Sequence, residues 1–212
     1  ILAIVALYKV TADEKLLDCA EKAAHILVKN QSSSGGWKVG DESHFLAGFS
    51  HGAAGIIYSL AMLYSVRPKY YLQEAMHKGL SFENTLYDSA MNNWKDVRDD
   101  VPEGHWMWAW CHGPAGILLS RMQMITVVSA QDRKVIQEDM VKCAQALENN
   151  VLDNNCLCHG NLGNTEILES YARAIKDKTL YKKAMRIRSC VVESLIDGTA
   201  DCGEMYLYGY QF

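Results

Sequence analysis

Three short stretches of this 212-residue sequence share the pattern His-Gly-x-x-Gly: Ser50-His51-Gly52-Ala53-Ala54-Gly55, Cys111-His112-Gly113-Pro114-Ala115-Gly116 and Cys158-His159-Gly160-Asn161-Leu162-Gly163. In two of the three a cysteine precedes the histidine. If the stretches occupy equivalent places in a repeated structure, Cys111, Cys158, His159, His51 and His112 converge on one rim. Two cysteines and one histidine (Cys111, Cys158, His159) would give Zn²⁺ three protein ligands and leave a tetrahedral position open for water or substrate, as catalytic rather than structural zinc sites do. Cys156 is the candidate fourth ligand. A lone cysteine at a helix entrance is by default a small hydrophobe. Cys19, Cys143, Cys190 and Cys202 have no histidine neighbour and no repeated context, so they are read that way.

The elements that must position these residues are helices. The histidines of successive phrases lie 61 and 47 residues apart, which suits a repeat of two helices with loops of variable length. Each phrase leads into a segment apolar on nearly all sides, such as Ile56 to Tyr64 and Ile117 to Val128, and such a helix must be surrounded by protein. These are the expected inner helices. Amphipathic segments alternate with them: Leu16, Ala20, Ala23, Leu27; Ile136, Met140, Cys143, Leu147; and Leu180, Ala184, Ile187, Val191, Leu195, all at steps of three or four. These are the expected outer helices. Tyr70 to Leu86 is a weaker outer helix, interrupted by Gly79. Pro114 suits the first turn of its helix, where a missing amide hydrogen costs nothing.

No strand pattern competes, so the expected fold is all-α. Ile1 to Asn30 reads as a further helical pair without its glycine phrase, and Asp201 to Phe212 as a loop leading into another unit. Four pairs side by side leave two open apolar flanks that a closed ring would cover. Residues 1–212 are therefore expected to be one partial domain, cut at both ends.

Composition narrows the partners. Lys+Arg 21 against Asp+Glu 25 gives a net charge of −4, with no excess of positive charge to attract phosphate backbones, so nucleic acid is not expected. The apolar runs fall short of the ~20 residues of a membrane-spanning helix. Seven cysteines, an odd number with no signal peptide, point to reduced thiols and a cytoplasmic setting. Asp99, Asp100 and Glu103 would suit a glycosidase carboxylate pair, but a solvated loop explains them better. The alternating Trp106, Trp108 and Trp110 are read as packing at the rim, and Trp37 as a loop anchor.

Taken together, Gly48-Phe49-Ser50-His51-Gly52-Ala53-Ala54-Gly55-Ile56, Trp110-Cys111-His112-Gly113 and Leu157-Cys158-His159-Gly160-Asn161-Leu162-Gly163-Asn164 resemble the lanthionine synthetase C family. The last form is most similar to the cyclase domain of class II, bifunctional lanthipeptide synthetases. The resemblance implies an α/α toroid, a double ring of helical hairpins with zinc at one end of its cavity, bound by Cys111, Cys158 and His159. It implies that His51 is the histidine beside the metal, acting as acid or base. His112 falls where related cyclases carry a variable polar residue, often tyrosine. Family members outside class II place an arginine where Met107 and Trp108 stand here, and the family's catalytic aspartate would lie upstream of Ile1.

The implied reaction adds a peptide cysteine thiolate to dehydroalanine or dehydrobutyrine in a dehydrated ribosomal precursor peptide, with a dehydratase domain on the same full-length chain. Such chemistry suits these residues. A free thiol of pKa near 8.5 is largely protonated at pH 7, and a zinc-bound thiol loses its proton. The enolate left by attack must then gain a proton from a positioned donor such as His51. The alternative reading is a non-cyclising zinc scaffold that binds peptide or glutathione-like thiols.

Overall fold

In a computed structural model the described residues, 1–199, form eight α-helices and one very short hairpin. The helices are α1 (Leu2–Thr11), α2 (Glu14–Lys29), α3 (Ala53–Tyr64), α4 (Tyr70–Thr85), α5 (Pro114–Met124), α6 (Ala130–Asn149), α7 (Asn161–Ala174) and α8 (Lys178–Ile196). They pair in chain order, α1 with α2, α3 with α4, α5 with α6 and α7 with α8. The first members also touch one another in sequence, α1 on α3, α3 on α5 and α5 on α7. An inner row of helices thus stands against an outer row. The expected Asp201 to Phe212 loop, with Cys202, lies outside the described residues.

Composition explains the layering. Small side chains let the inner helices approach closely: Ala53, Ala54, Ala61 and Ala115 are fully buried, as are Ile57, Leu60, Leu63, Ile117 and Leu118. Two outer helices begin at aspartates whose carboxylates accept from first-turn amides, Asp13 from Lys15 N and Asp177 from Thr179 N and Leu180 N. The inner helices α3, α5 and α7 begin instead at glycines, Gly52, Gly113 and Gly160, with no side-chain cap. Their entrances are built by loop backbone, which is what brings three loops to one end of the inner row.

Gly79 does not interrupt α4. A methyl group there would lie 2.9 Å from Ile57 Cδ1 and 3.0 Å from the Trp37 ring, so the glycine lets α4 press onto α3. Trp37 is buried, as a loop anchor should be, and donates from Nε1 to the Leu27 carbonyl at 2.8 Å. Three further details differ from expectation. The inner helix expected to reach Val128 ends at Met124, ahead of the β-branched Ile125-Thr126-Val127-Val128 run, with the Thr126 hydroxyl turned back onto the Gln123 carbonyl at 2.8 Å. An antiparallel hairpin, β1 (Tyr87–Asp88) and β2 (Asn93–Trp94), follows α4; its turn is closed by Asn92 at φ 50, a conformation asparagine tolerates. Cys19 and Cys190 are exposed rather than buried hydrophobes, whereas Cys143 is buried as expected.

A buried charge cluster ties the layers behind the loops. Arg121 on α5 has a fully buried side chain and donates to Glu83 Oε2 of α4 at 2.6 Å and to Asp139 Oδ2 of α6 at 3.1 Å. Burial pushes the Glu83 carboxyl up to about 7, although the neighbouring guanidinium opposes that rise. Among the described residues no helix is long and apolar enough to cross a membrane.

Candidate functional site

The three phrases fold alike. A Cβ added at Gly55, Gly116 or Gly163 would lie 2.1, 2.1 or 1.9 Å from the carbonyl oxygen six residues earlier, that of Phe49, Trp110 or Leu157. At the first glycine of each phrase the same offset recurs, with 2.4 Å from Gly52 to the Leu46 oxygen, 2.0 Å from Gly113 to Met107 and 2.6 Å from Gly160 to Asn154. No side chain fits at any of the six. Backbone so closely packed fixes where the intervening Ser50-His51, Cys111-His112 and Cys158-His159 stand.

One bond is replaced in the middle repeat. The amide of Ala53 donates to the Leu46 carbonyl at 2.8 Å, and the amide of Asn161 to that of Asn154 at 2.9 Å. The equivalent position in the second phrase is Pro114, which has no N–H. There the Asn93 side chain supplies the missing donor, reaching the Met107 carbonyl at 3.0 Å from the hairpin. The proline is therefore not free of consequence, since its equivalents in the other repeats use that amide.

The loops are also bonded to one another. The amide of Ser50 donates to the Cys111 carbonyl at 3.2 Å, joining the first loop to the second. Asn164, buried on α7, donates to the Trp108 carbonyl at 2.5 Å and so joins the third to the second. Within the third loop Asn161 is a staple, giving Nδ2 to the Leu152 carbonyl at 2.6 Å and accepting from the Leu152 amide at 2.8 Å.

Among the residues singled out from the sequence, the structure brings one pair into ring contact. The rings of His51 and His112 stack with centroids 5.6 Å apart at 18°. His51 is exposed and His112 buried, with burial pulling the His112 imidazole down to about 4 despite the nearby Asp96 carboxylate, so it is neutral at pH 7. Cys111 and Cys158 stand on the second and third loops. Burial pushes the Cys111 thiol up to about 11, and Cys158 lies near enough to add to that rise. Cys158 is exposed and its thiol is also raised, by burial first and then by Cys156. His159 is exposed at the turn, its amide donating to Cys156 Sγ at 3.2 Å. Among the described residues no three side chains of metal-binding type are grouped closely enough to hold an ion as they stand.

Sequence reasoning passed over Asp96 and Arg98, which border this centre. Arg98 grips the Asp96 carboxylate with Nε at 3.0 Å and Nη2 at 2.7 Å. Burial opposes ionisation of Asp96, but the bonds from Arg98 win and lower its pKa. Arg98 also lies within electrostatic reach of Cys111, where its charge favours the thiolate. Only the two-residue spacing of opposite charges hinted at the pair. Asn93 carried no signal, and Asn164 entered only as the end of the third phrase without a role, because they act on carbonyls 14 and 56 residues away in sequence. Asp99, Asp100 and Glu103 are exposed, as a solvated loop requires.

Comparison with known proteins gives the family and the fold. The profile of "Lanthionine synthetase C-like protein" matches residues 1–209. The chain belongs to the lanthionine synthetase C-like family. A relative within reach of sequence comparison is the "Lacticin 481/lactococcin biosynthesis protein LcnDR2" of Lactococcus lactis subsp. lactis, 29% identical over 147 residues, which is 65% of this chain and 15% of that protein. The structure of "Nisin cyclase" resembles this one with a TM-score of 0.65 at 19% identity, covering 92% of this chain and 53% of that one. The chain thus spans about half the length of one relative and a smaller part of the other. For this lanthionine synthetase C-like chain, the structural likeness gives the fold, an α/α toroid built of helical hairpins.

Zinc fits the donors of this family member by type and only partly by arrangement. Two thiols, soft ligands, stand on loops that are bonded to one another, and an imidazole follows one of them directly in sequence. As they stand, these three side chains are not grouped closely enough to hold an ion.

Proposed function

We propose that this chain is the thioether-forming part of a lanthipeptide synthetase, adding a cysteine thiolate of a dehydrated ribosomal peptide to a dehydroalanine or dehydrobutyrine in the same peptide. The single observation that carries the reading is the His51–His112 stack on loops tied to one another, flanked by the cysteine-bearing turns of the second and third repeats, in a chain of this family. The reaction forms one C–S bond to the β-carbon, breaks the α,β π bond and leaves an enolate that takes a proton at the α-carbon. The proton given up by the thiol balances the one gained.

In this reading Cys111, Cys158 and His159 hold Zn²⁺, with the exposed His159 side chain turning inward to complete the set. Bound there, zinc would lower the pKa of an incoming thiol so that it arrives as thiolate. The chain's own residues do the rest. His51, solvent-facing, exchanges protons with the α-carbon, while neutral His112 holds the face of its ring. Arg98, anchored by Asp96, adds positive charge where sulfur anions gather. The partner is the precursor peptide, with a dehydratase domain on the same full-length chain supplying its alkenes, and the free thiols suit a cytoplasmic setting.

The test is metal analysis of the purified protein together with ring closure. One zinc per chain, lost in Cys111→Ala and Cys158→Ala, is expected, with a dehydrated peptide becoming protected from thiol alkylation as judged by mass spectrometry. Zinc-loaded protein that leaves every peptide thiol alkylatable would replace the cyclase reading by that of a thiol-binding scaffold. Protein that closes rings without metal would remove the zinc.

A further inference from the structure

The three repeats differ in what fills the grooves between neighbouring inner helices. Aligning the phrases puts Phe49, Trp110 and Leu157 in one equivalent position and Tyr58, Leu119 and Glu166 in another. Between α3 and α5 the groove is filled with aromatic rings. Phe49 lies 5.2 Å from the Tyr58 ring and 5.3 Å from the Trp110 ring, and its Cβ would meet a side chain at Gly116 within 2.6 Å. Between α5 and α7 the same positions carry Leu119 on one side and Leu157 with Glu166 on the other, and a cavity of about 470 Å³ remains. Trp110, Leu119, Leu157 and Ile167 make its apolar wall, Glu166 and Ser170 lie on α7, and Cys158 lines it directly.

The open groove includes Cys158, a thiol of the candidate centre, along its wall. Leu157, immediately before Cys158, is 62% exposed and adds its side chain to the apolar wall that the groove presents. A carboxylate among the lining residues discourages an acidic occupant.

We propose that this groove seats a large apolar side chain of the peptide, adjacent to the cysteine being joined, and that Leu119 and Glu166 set the preference. The inference rests on the cyclase reading for the identity of the occupant. Filling the groove with an aliphatic or aromatic side chain brings the neighbouring cysteine sulfur to Cys158's end of it, whereas a serine there leaves the wall wet and an aspartate faces Glu166.

The experiment uses the full-length protein and four dehydrated peptides that differ only beside the cysteine, with Phe, Leu, Ser or Asp. Binding is read by fluorescence anisotropy of labelled peptides and closure by alkylation and mass spectrometry. The Phe and Leu peptides are expected to bind roughly tenfold or more tightly than the Ser peptide, with the Asp peptide weakest. Leu119→Tyr, which gives α5 the residue α3 carries at that position, should erase the advantage while leaving the Ser peptide bound as before. Ser170→Trp, a change at an exposed residue, should do the same if the first variant folds poorly. Equal binding of all four peptides, no binding of any, or a preference that survives both variants would overturn the proposal. A preference in binding with no closure of any peptide would keep the subsite and remove the cyclase reading instead.

Discussion

Asn164 on α7 donates to the carbonyl of Trp108 at 2.5 Å, so the helix that follows one candidate cysteine holds the backbone three residues before the other. The contact is half-buried and joins two repeats rather than two halves of one. Its consequence is a fixed spacing between Cys111 and Cys158.

If Cys111, Cys158 and His159 hold zinc as proposed, Asn164→Ala should weaken its binding. Supporting residues of this kind typically cost 10–100-fold in metal affinity when removed. Titration with a competing chelator would read the loss, with circular dichroism confirming retained helix. Unchanged affinity in a folded variant would mean that the two loops hold their spacing without this bond.

The same logic applies to Asn93, the substitute donor to the Met107 carbonyl where Pro114 has no amide. Asn93→Ala leaves that carbonyl short of a buried partner, at a cost of about 1–3 kcal/mol. Asn93→Ala with Pro114→Ala restores an amide where the other repeats have one, and should recover part of the lost stability in urea unfolding. A double variant no more stable than Asn93→Ala would show that the proline's equivalence to Ala53 and Asn161 is geometric only.

How far the site was legible follows from such cases. The cysteine and histidine phrases repeat in sequence, and a repeated phrase at a repeated helix entrance must recur in space, so the rim and the hairpin stack could be read directly. Asn93 and Asp96 could not. They sit on an insertion between α4 and α5 that has no counterpart in the other repeats, and their partners are set by how the hairpin folds back. Gly79 misled for a related reason: as a local signal it weakens a helix, but its role is to admit the Ile57 and Trp37 side chains. The early end of α5 was also hidden, because an apolar run does not distinguish helix from the β-branched turn that follows it.

Glu83 gives stability a pH dependence whose sign can be worked out. Its folded pKa, about 7, lies above the ordinary carboxylate value because burial outweighs Arg121. The folded state therefore binds a proton that the unfolded state has released between those two values, and stability falls as pH rises through that window, by ~1.4 kcal/mol per unit for one proton. Below the unfolded value the contribution is complete, and above about 7 it is lost. Urea midpoints for Glu83→Gln should vary less between pH 4.5 and 7 than those of the unaltered protein. Parallel curves would place the titration elsewhere. Arg121→Met, which leaves two carboxylates buried without their cation, should cost about 3–5 kcal/mol.

The two histidines should separate by role. His51 is exposed above the stack and His112 buried beneath it, neutral at pH 7 with its pKa near 4. A group that moves a proton must be reachable by substrate, and only His51 is. His51→Ala is expected to slow ring closure by about 10²–10⁴-fold, with zinc content unchanged. In His112→Phe the ring face against His51 is retained and the nitrogens are lost. Closure should then fall much less, and the pH–rate profile should keep its shape. A His112→Phe variant as slow as His51→Ala, with metal still bound, would transfer the proton to the buried ring and require substrate to reach beneath the stack.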